Sequence, residues 1–398
     1  MIRDATREVV FVSGVRTAIG TFGGALKEFA PTTLAAMCVK EALNRARVDA
    51  ADVGSCVFGN VIHSEAKDMY MARVAAINGG LPITTPALTV NRLCGSGLQA
   101  VVSAAQQILL GDADLAVAGG AESMSRAPYT VPAERWGQKM GDAKVLDMML
   151  GALHDPFGHG HMGVTAENVA AKWKITRDEQ DAYAVESHRR GAVARAAGHF
   201  KDQILPIESE GKKGKVVFDR DEHIREDATP ESLRGLKPVF KKDGSVTAGN
   251  ASGLNDGAAA LVMADAKTAA AKGLKPLARL VAYGHAAVEP SEMGIGPVPA
   301  VANVMRRAGL KVADMDVIES NEAFAAQALA VAKDLGFAPE KTNPNGGAIA
   351  LGHPIGATGA ILTVKTIYEL KRINKRYGLV TMCIGGGQGI AAVIENLS

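Results

Sequence analysis

The feature that most constrains this fold is an internal repeat in the order of helix and strand patterns. Residues 34–60 combine a helical apolar face, a short turn and the strand-like run CVFGN, and residues 301–322 repeat that order and end in VIESNE. A second unit also occurs twice, as CGSGLQAVVSAAQQILLGDADLAVAGG and as GHPIGATGAILTVKTIYELKRINKRYGLVTMCIGGG. Each copy combines a glycine-rich turn, an amphipathic helix, an apolar strand and a glycine cluster. Such alternation is typical of α/β layers, so the sequence predicts two similar halves, each with its own sheet.

A stretch of different composition separates the repeats. Residues 122–249 contain both tryptophans, most of the histidines and much of the charge. We interpret this stretch as an inserted loop domain, in which Thr176 and Glu179 form the capping box of a helix. The predicted organisation is therefore a first half of residues 1–121 and 250–272, a loop domain of residues 122–249 and a second half of residues 273–398.

Charge and cysteine usage exclude several classes of protein. A formal net charge of +2 and a pI near 8.2 are too mild for a nucleic-acid binder or a membrane-surface binder. No apolar run approaches the length that spans a bilayer, and the N-terminus lacks a secretory core, so we expect a cytoplasmic protein. The four cysteines lack CxxC spacing, which indicates neither a zinc site nor a disulfide framework. The basic run EGKKGKVVFDR is typical of a solvated hairpin.

Cys94 lies where a strand-like run turns into a helix. The run PALTV precedes it, and Leu98, Val101 and Ile108 follow at helical spacing. Gly95 allows close backbone approach at the turn, and the N–H groups and positive dipole end of the helix would favour the thiolate. A free cysteine is more often a buried packing residue, so that interpretation stays open. The pattern makes Cys94 a candidate nucleophile.

The second half places polar groups at the equivalent edge. His353 lies in a glycine-rich turn before a helix, where an imidazole could hold Cys94 as a thiolate. Cys383 precedes three glycines at a strand end, and Gly385 could supply a backbone N–H to an oxyanion. Asn321 follows another strand, where it could cap a helix or bind an oxyanion. Structural roles for the histidine and for a buried strand-end cysteine remain the alternatives.

A series of motifs identifies a family. NRLCGSGLQA, GGAESMS, HMGVTAEN, TAGNASGLNDGAAA, NEAFAAQ, NPNGGAIALGHPIGATG and CIGGGQGIA occur in one order along the chain. With them the whole chain resembles the thiolase family, most closely the bacterial biosynthetic acetoacetyl-CoA and β-ketoacyl-CoA thiolases. The resemblance implies a five-layered αβαβα fold of two similar halves with a loop domain over the active site. This agrees with the internal repeat.

The resemblance also implies the roles of the candidate residues. Cys94 would be the acylated nucleophile, His353 its activator and Cys383 the second acid/base. Asn321 would hold a water that forms one oxyanion hole with the His353 imidazole, and the backbone N–H groups of Cys94 and Gly385 would form the other. The residues implied for coenzyme A binding are Leu153, His161, Met162, Arg225, Ser232, Ser252 and Phe324.

The implied activity is a reversible Claisen condensation of acetyl-CoA with acetyl-CoA or another short acyl-CoA, through an acyl-cysteine. Coenzyme A thioesters would be the substrates, with no metal and no further cofactor. The family also implies a homotetramer, a dimer of dimers, in fatty acid metabolism or polyhydroxyalkanoate biosynthesis. The segment HDPFGHGHMG has histidine and glycine where many short-chain members carry an aromatic residue, so the acyl-chain preference stays open.

Four other functions fit the sequence less well. A carrier-protein-dependent condensing enzyme would lack the second catalytic cysteine, and a non-catalytic relative would lack one of the four catalytic positions. His154, His159 and His161 could suggest a metal site, but no carboxylate or cysteine follows them at the spacing of a further ligand. The glycines of GGGQGIA do not form the dinucleotide-binding pattern GxGxxG after the first strand.

Overall fold

The structure is a computed structural model that describes residues 7–211 and 214–398. Its α-helices, in chain order, are α1 Pro31–Ala46, α2 Met71–Asn78, α3 Ser96–Leu110, α4 Met148–Ala152, α5 Met162–Trp173, α6 Arg177–Ala196, α7 Pro230–Arg234, α8 Ala266–Ala271, α9 Pro297–Ala308, α10 Ala325–Leu335, α11 Ala348–Leu351 and α12 Thr358–Ile373.

The β-strands are also numbered in chain order. They are β1 Val9–Thr17, β2 Gly20–Thr21, β3 Ser55–Gly59, β4 Ala87–Val90, β5 Leu115–Ser123, β6 Tyr129–Thr130, β7 Leu146–Asp147, β8 His154–Asp155, β9 Gly160–His161, β10 Ile204–Leu205, β11 Ile207–Gly211, β12 Gly214–Phe218, β13 Asn255–Asp265, β14 Ala278–Ala287, β15 Val317–Ser320, β16 Tyr377–Ile384 and β17 Gln388–Asn396.

The main sheet contains the predicted repeat. Its strand order is β15-β16-β17-β14-β1-β13-β5-β3-β4, with β10 beside β1 and β2 beside β13. The order β3-β5-β13-β1 of the first half therefore mirrors β15-β16-β17-β14 of the second. The prediction of two separate sheets is wrong at one place, because β1 and β14 pair through Val10–Arg279 and Phe11–Ala278. Each strand would otherwise end its half with unpaired backbone groups.

The hydrophobic clusters define five layers. One cluster packs α1 and α2 on the outer face of the first-half sheet, and another packs α9 and α10 on the outer face of the second-half sheet. The largest cluster combines α3 and α12 with strands of both halves. These two helices form the middle layer, so the arrangement is αβαβα, as predicted.

Glycines let the two central helices meet at their N-termini. A Cβ at Gly97 of α3 would lie 2.7 Å from the backbone nitrogen of Ala360, and one at Gly359 of α12 would lie 2.4 Å from that of Leu98. Neither position has room for a side chain. The close approach brings together the turns that precede α3 and α12, which carry the two main candidate residues.

The central position of α3 explains its composition. Leu93–Leu110 has the length and, with a mean hydropathy of 1.3, the composition of a weak candidate for a membrane span. The sequence-based statement that no run approaches that length is therefore wrong. The segment is 56% buried in the protein, because α3 lies between the two halves of the main sheet and needs apolar residues on both faces.

The loop domain contacts the first half through buried charge. Arg16 on β1 pairs with Asp221 at 2.7 Å, and both side chains are fully buried. The predicted capping box of Thr176 and Glu179 begins α6. The basic run forms the hairpin of β11 and β12, although its residues 212–213 lie outside the described residues. The exact boundaries of the three parts stay a prediction.

Candidate active site

An apolar cavity of about 340 Å³ lies between the two halves and the loop domain. This volume lies within the range of small-ligand sites. The predicted site residues that line it are Cys94, Leu153, His161, Met162, Ser252, Phe324, His353, Cys383 and Gly385. Residues far apart in sequence therefore share one chamber, as the repeat predicts.

The turn that carries Cys94 is held by the side chains around it. The Leu93 N–H donates to Asn91 Oδ1 over 2.9 Å, and the Arg92 N–H donates to Ser96 Oγ over 2.9 Å. Leu93 has a φ of 42°, in the left-handed region that few non-glycine residues adopt. Strain of this kind clusters at functional sites. Here it produces the sharp change of direction between β4 and α3.

Cys94 is a thiol at neutral pH in this environment. Burial raises the pKa of Cys94 to about 11, whereas the backbone N–H groups of Gly385 and Cys94 lower it, and the charge of Glu122 raises it slightly. The N–H groups at this turn favour the thiolate, which is the predicted direction, but desolvation outweighs them. Proton removal must therefore accompany attack on a substrate.

His353 is a neutral base with a defined tautomer. Burial lowers the pKa of His353 to about 4, so the ring is uncharged at neutral pH. Thr358 Oγ1 donates its proton to the Pro354 carbonyl over 2.9 Å, so it accepts from His353 Nδ1, which lies 2.7 Å away. The ring proton is thereby assigned to Nδ1 and the lone pair to Nε2. Nε2 is the atom that can receive the Cys94 proton.

Asn321 presents an unused acceptor beside that imidazole. Its Nδ2 lies 3.4 Å from His353 Nε2, and its backbone N–H donates to the Thr381 carbonyl at 3.0 Å. The Asn321 side chain is buried, and its Oδ1 has no hydrogen-bond partner among the described residues. A buried amide oxygen of this kind is an acceptor for a water or a polar ligand group.

Cys383 ends β16 at the floor of the cavity. Burial raises the pKa of Cys383 well above its usual value, and the charge of the Cys94 sulfur adds to that shift. The Cys94 sulfur is therefore close enough to influence the ionisation of Cys383. Gly386 and Gly387 have φ of 82° and 83° in the turn that follows, so the glycine cluster is required by backbone conformation. Gly385 is the donor to the Cys94 sulfur.

The loop domain supplies the opposite wall. The Gly163 N–H donates to His161 Nδ1 over 3.0 Å, so His161 is the N-cap of α5. Burial and the neighbouring His154 lower the pKa of His161. The neutral ring therefore carries its proton on Nε2, which makes that atom a donor. Phe240 stacks on this ring with the centroids 4.6 Å apart.

A third wall comes from two segments that lie side by side. The Ser252 N–H donates to the Ala323 carbonyl over 3.0 Å, and the Ala325 N–H donates to the Asn250 carbonyl over 2.9 Å. These bonds place Phe324 and Ser252 in the same wall of the cavity.

Two predicted coenzyme A residues lie away from this cavity. Arg225 lines a neighbouring cavity of about 390 Å³, which shares Leu254 with the main one. Ser232 is exposed on α7, and its Oγ donates to the Thr229 carbonyl over 2.8 Å. Ser232 lines neither cavity, so its proposed contact with coenzyme A stays a prediction.

Sequence reasoning missed most of the apolar lining. The missed side chains are Leu93, Met124, Met149, Leu150, Val239, Phe240, Met293 and Ile355. They come from separate segments with no shared periodicity. The apolar run VLDMMLGAL before His154 was the one local signal of this surface.

The three histidines of the segment HDPFGHGHMG do not point at one common position. The rings of His154 and His161 are 5.3 Å apart between centroids, and His159 Nε2 lies 3.9 Å from Glu289 Oε1. Within residues 7–211 and 214–398, no group of three or more His, Cys, Asp or Glu side chains is arranged to hold a metal ion.

Replacement of Thr358 by valine tests the tautomer assignment. Valine keeps the shape of threonine but leaves the His353 Nδ1–H without an acceptor, at a cost of about 1–3 kcal/mol. We expect acylation of Cys94 to slow by about 10- to 100-fold in Thr358→Val, because less of the ring then has its lone pair on Nε2. Rapid-quench measurement of acyl-enzyme formation provides the rate.

Thr366 is the matched control on the same helix. Its hydroxyl also bonds a backbone carbonyl four residues earlier, that of Leu362, at 2.8 Å. Thr366→Val should leave the acylation rate within about twofold of the parent. Equal rates for both variants would contradict the assignment of the proton to Nδ1.

The molecule combines a five-layered α/β fold with an apolar cavity that two cysteines and a histidine line. Residues 9–267 match the model of the thiolase N-terminal domain, and residues 274–396 match that of the thiolase C-terminal domain. The chain belongs to the thiolase family.

Named relatives cover the whole chain. Beta-ketothiolase BktB of Cupriavidus necator is 67% identical over 393 residues, which cover 98% of this chain and 100% of that protein. The acetyl-CoA acetyltransferase of Syntrophomonas wolfei is 48% identical over 397 residues, with coverage of 98% and 100%. The crystal structure of human mitochondrial 3-ketoacyl-CoA thiolase in complex with CoA has a TM-score of 0.96 to this chain, with 46% identity and 98% coverage of both chains.

Proposed function

We propose that this protein is a β-ketothiolase, an acetyl-CoA C-acyltransferase that condenses acetyl-CoA with acetyl-CoA or another short acyl-CoA and catalyses the reverse thiolysis. The observation that carries the proposal is the convergence of a nucleophile, a base and a second acid/base on one apolar cavity. Cys94, His353 and Cys383 line that cavity, and Asn321 Nδ2 lies 3.4 Å from Nε2 of the imidazole.

The first half-reaction is acylation of Cys94. Its sulfur attacks the thioester carbonyl while the thiol proton moves to His353 Nε2. The N–H groups of Cys94 and Gly385 stabilise the oxyanion of the tetrahedral intermediate. The intermediate collapses, the bond from the carbonyl carbon to the CoA sulfur breaks, and the leaving sulfur takes the proton of Cys383. The products are acyl-Cys94, free coenzyme A, an imidazolium and a Cys383 thiolate.

The second half-reaction forms the carbon–carbon bond. The Cys383 thiolate removes a proton from the α-carbon of acetyl-CoA, and the enolate oxygen is stabilised by the His353 imidazolium and a water on Asn321. The enolate carbon attacks acyl-Cys94, and the Cys94 sulfur leaves and recovers its proton from His353. Two acetyl-CoA molecules thus give acetoacetyl-CoA and coenzyme A.

Coenzyme A enters, in this proposal, along the wall that the loop domain forms. The pantetheine arm passes His161, Ser252 and Phe324, where the Nε2–H of His161 is a donor and most of the other lining side chains are apolar. The nucleotide then lies at the surface near Arg225, because the cavity that Arg225 lines adjoins the main one at Leu254.

Substitution of Arg225 tests this route. A solvent-exposed ion pair contributes about 0.2–1 kcal/mol, so we expect Arg225→Ala to raise the KM for acetyl-CoA by about two- to fivefold and to leave kcat unchanged. Arg220→Ala is the control, since that arginine is 81% exposed and pairs with Asp219 at 3.8 Å. A structure with coenzyme A entering from another face would contradict the route.

Assembly and location are part of the same proposal. We infer a homotetramer of two dimers in the cytoplasm, by analogy with the family. Large apolar side chains between β6 and α4 support an interface, since Trp136 and Met140 are 89% and 91% exposed. The β4 edge of the sheet has no partner strand among the described residues. Sedimentation of the purified protein gives the oligomeric state.

The decisive assay is thiolysis of acetoacetyl-CoA by free coenzyme A. Loss of the acetoacetyl-CoA absorbance with formation of two acetyl-CoA per turnover is the expected result. A substrate series with C5 and C6 β-ketoacyl-CoA then gives the chain length that the cavity accepts. Condensation that requires an acyl carrier protein, with no thiolysis by coenzyme A, would instead indicate a carrier-dependent condensing enzyme.

A further inference from the structure

The internal repeat relates the active site to a second place in the molecule. Glu122 near the end of β5 corresponds to Cys383 near the end of β16. Each lies opposite a glycine of the antiparallel neighbour strand, Gly257 for Glu122 and Gly389 for Cys383. Each also lies two residues beyond the last parallel pair of its strand, which are the pairs Gly59–Gly120 and Ser320–Thr381.

The turns before the central helices correspond in the same way. Gly97 and Gly359 occupy equivalent positions, because each would place a Cβ against the backbone of the other helix. Counting back three residues from each glycine pairs Cys94 with Gly356. The contact between Cys94 and the strand that carries Cys383 therefore has a counterpart between Gly356 and Glu122, where the Gly356 N–H donates to Glu122 Oε2 over 2.9 Å.

Glu122 is surrounded by donors at this counterpart site. It is fully buried, and Asn60 Nδ2 and the Ile62 N–H donate to Oε1 over 3.1 Å each. The Val61 N–H donates to Oε2 over 3.1 Å. Burial raises the pKa of Glu122, whereas the surrounding N–H groups stabilise the carboxylate and lower it. The side chain thus joins a first-half loop to a second-half turn.

We propose that Glu122 is a positioning residue for His353, in which its carboxylate fills the first-half counterpart of the oxyanion site and holds the turn of residues 353–358. This role rests on the acyl transfer proposed above. Gly356 lies in that turn between His353 and Thr358, whose hydroxyl fixes the ring. Glu122 does not line the substrate cavity. Its main effect on catalysis therefore passes through the imidazole, beside the smaller effect of its charge on the pKa of Cys94.

Glutamine at position 122 disturbs this arrangement with little change of volume. Glutamine replaces one carboxylate oxygen with an NH₂ group. The two N–H groups that donated hydrogen bonds to that oxygen then face another donor and lose their acceptor. Displacement of a catalytic group by about 1 Å costs about 100-fold in rate. We expect kcat of Glu122→Gln to fall by about 10- to 100-fold for both half-reactions, with KM for acetyl-CoA within about twofold of the parent.

A double-mutant cycle with His353→Ala tests the route of this effect. If Glu122 acts through the imidazole, Glu122→Gln should have no further effect on acyl-enzyme formation in the His353→Ala background. Multiplicative losses in the double variant, or unchanged kcat in the single variant, would overturn the proposal. Asp265→Asn is the matched control, because this carboxyl is also buried but caps α8 at the far end of β13. Its kcat should equal that of the parent.

A second variant covers the case in which Glu122→Gln does not fold. A Cβ at Gly356 would lie 2.6 Å from Glu122 Oε2, so Gly356→Ala displaces the same contact from the other side. The kcat of Gly356→Ala should fall as in Glu122→Gln, and the substitution should cause no further loss of acyl-enzyme formation in the His353→Ala background. A kcat equal to that of the parent would overturn the proposal. Absence of thiolysis in the parent protein would contradict the proposed function. If the parent is active but the single variants keep the parental kcat, or if their losses multiply with that of His353→Ala, only the role of Glu122 is contradicted.

Discussion

Replacement of Cys94 by alanine is expected to abolish acyl transfer. Cys94 is the cysteine that lies at a helix N-terminus, receives the Gly385 N–H and shares a cavity with His353. Without its sulfur no covalent intermediate can form, so both directions should fall by at least about 10⁴-fold. Mass spectrometry of the parent after brief exposure to acetyl-CoA should find the acetyl group on the peptide that contains Cys94. The alanine variant should show none.

Cys38 provides the control for this result. It is buried in the outer core, where burial raises the pKa of its thiol to about 12, and it lies outside the candidate cavity. Cys38→Ala should therefore keep both the acetyl label and the activity. Labelling of Cys38 or Cys56 in place of Cys94 would contradict the assignment of the nucleophile.

The architecture was predictable because the repeat consists of local sequence patterns. Helix and strand periodicity make α1 and β3 equivalent to α9 and β15, and the glycine-rich turns mark the starts of α3 and α12. The pairing of β1 with β14 was not predictable in this way. It depends on how two finished halves meet, and a contact of two residue pairs between distant strands leaves no periodic signal.

The candidate site was predictable where a turn residue or a motif marks it. Cys94 and His353 lie in the glycine-rich turns before the two central helices, and close contact between these helices requires glycine. Both residues line the cavity. The protonation states were not predictable, because they depend on desolvation by neighbours that are distant in sequence. Thr358 and Glu122 were missed for the same reason. Their roles appear only when the hydrogen bonds to the 353–358 turn are known.

Replacement of Cys383 by serine should distinguish the roles of the two cysteines. Acylation needs a nucleophile and the His353 base, and both remain in Cys383→Ser. Condensation also needs a base for the α-carbon of acetyl-CoA, and a serine hydroxyl is a far weaker one at neutral pH. We expect acyl-Cys94 to form about 10-fold more slowly, because Cys383 no longer protonates the leaving CoA sulfur. Condensation should fall by about 10³-fold or more.

The measurement that separates these steps is the acetylation burst beside steady-state condensation on the same enzyme preparation. Cys383→Ser should retain a full burst amplitude and accumulate acetyl-Cys94, whereas Cys94→Ala has no burst. His353→Ala should damage both steps, since the imidazole accepts the Cys94 proton and later stabilises the enolate. The buried position of Cys383 makes folding the necessary control, so the thermal transition of each variant is compared with that of the parent. If folded Cys383→Ser lost the burst as completely as Cys94→Ala, the second cysteine would be needed for acylation itself, and the division of roles between the two halves would be wrong.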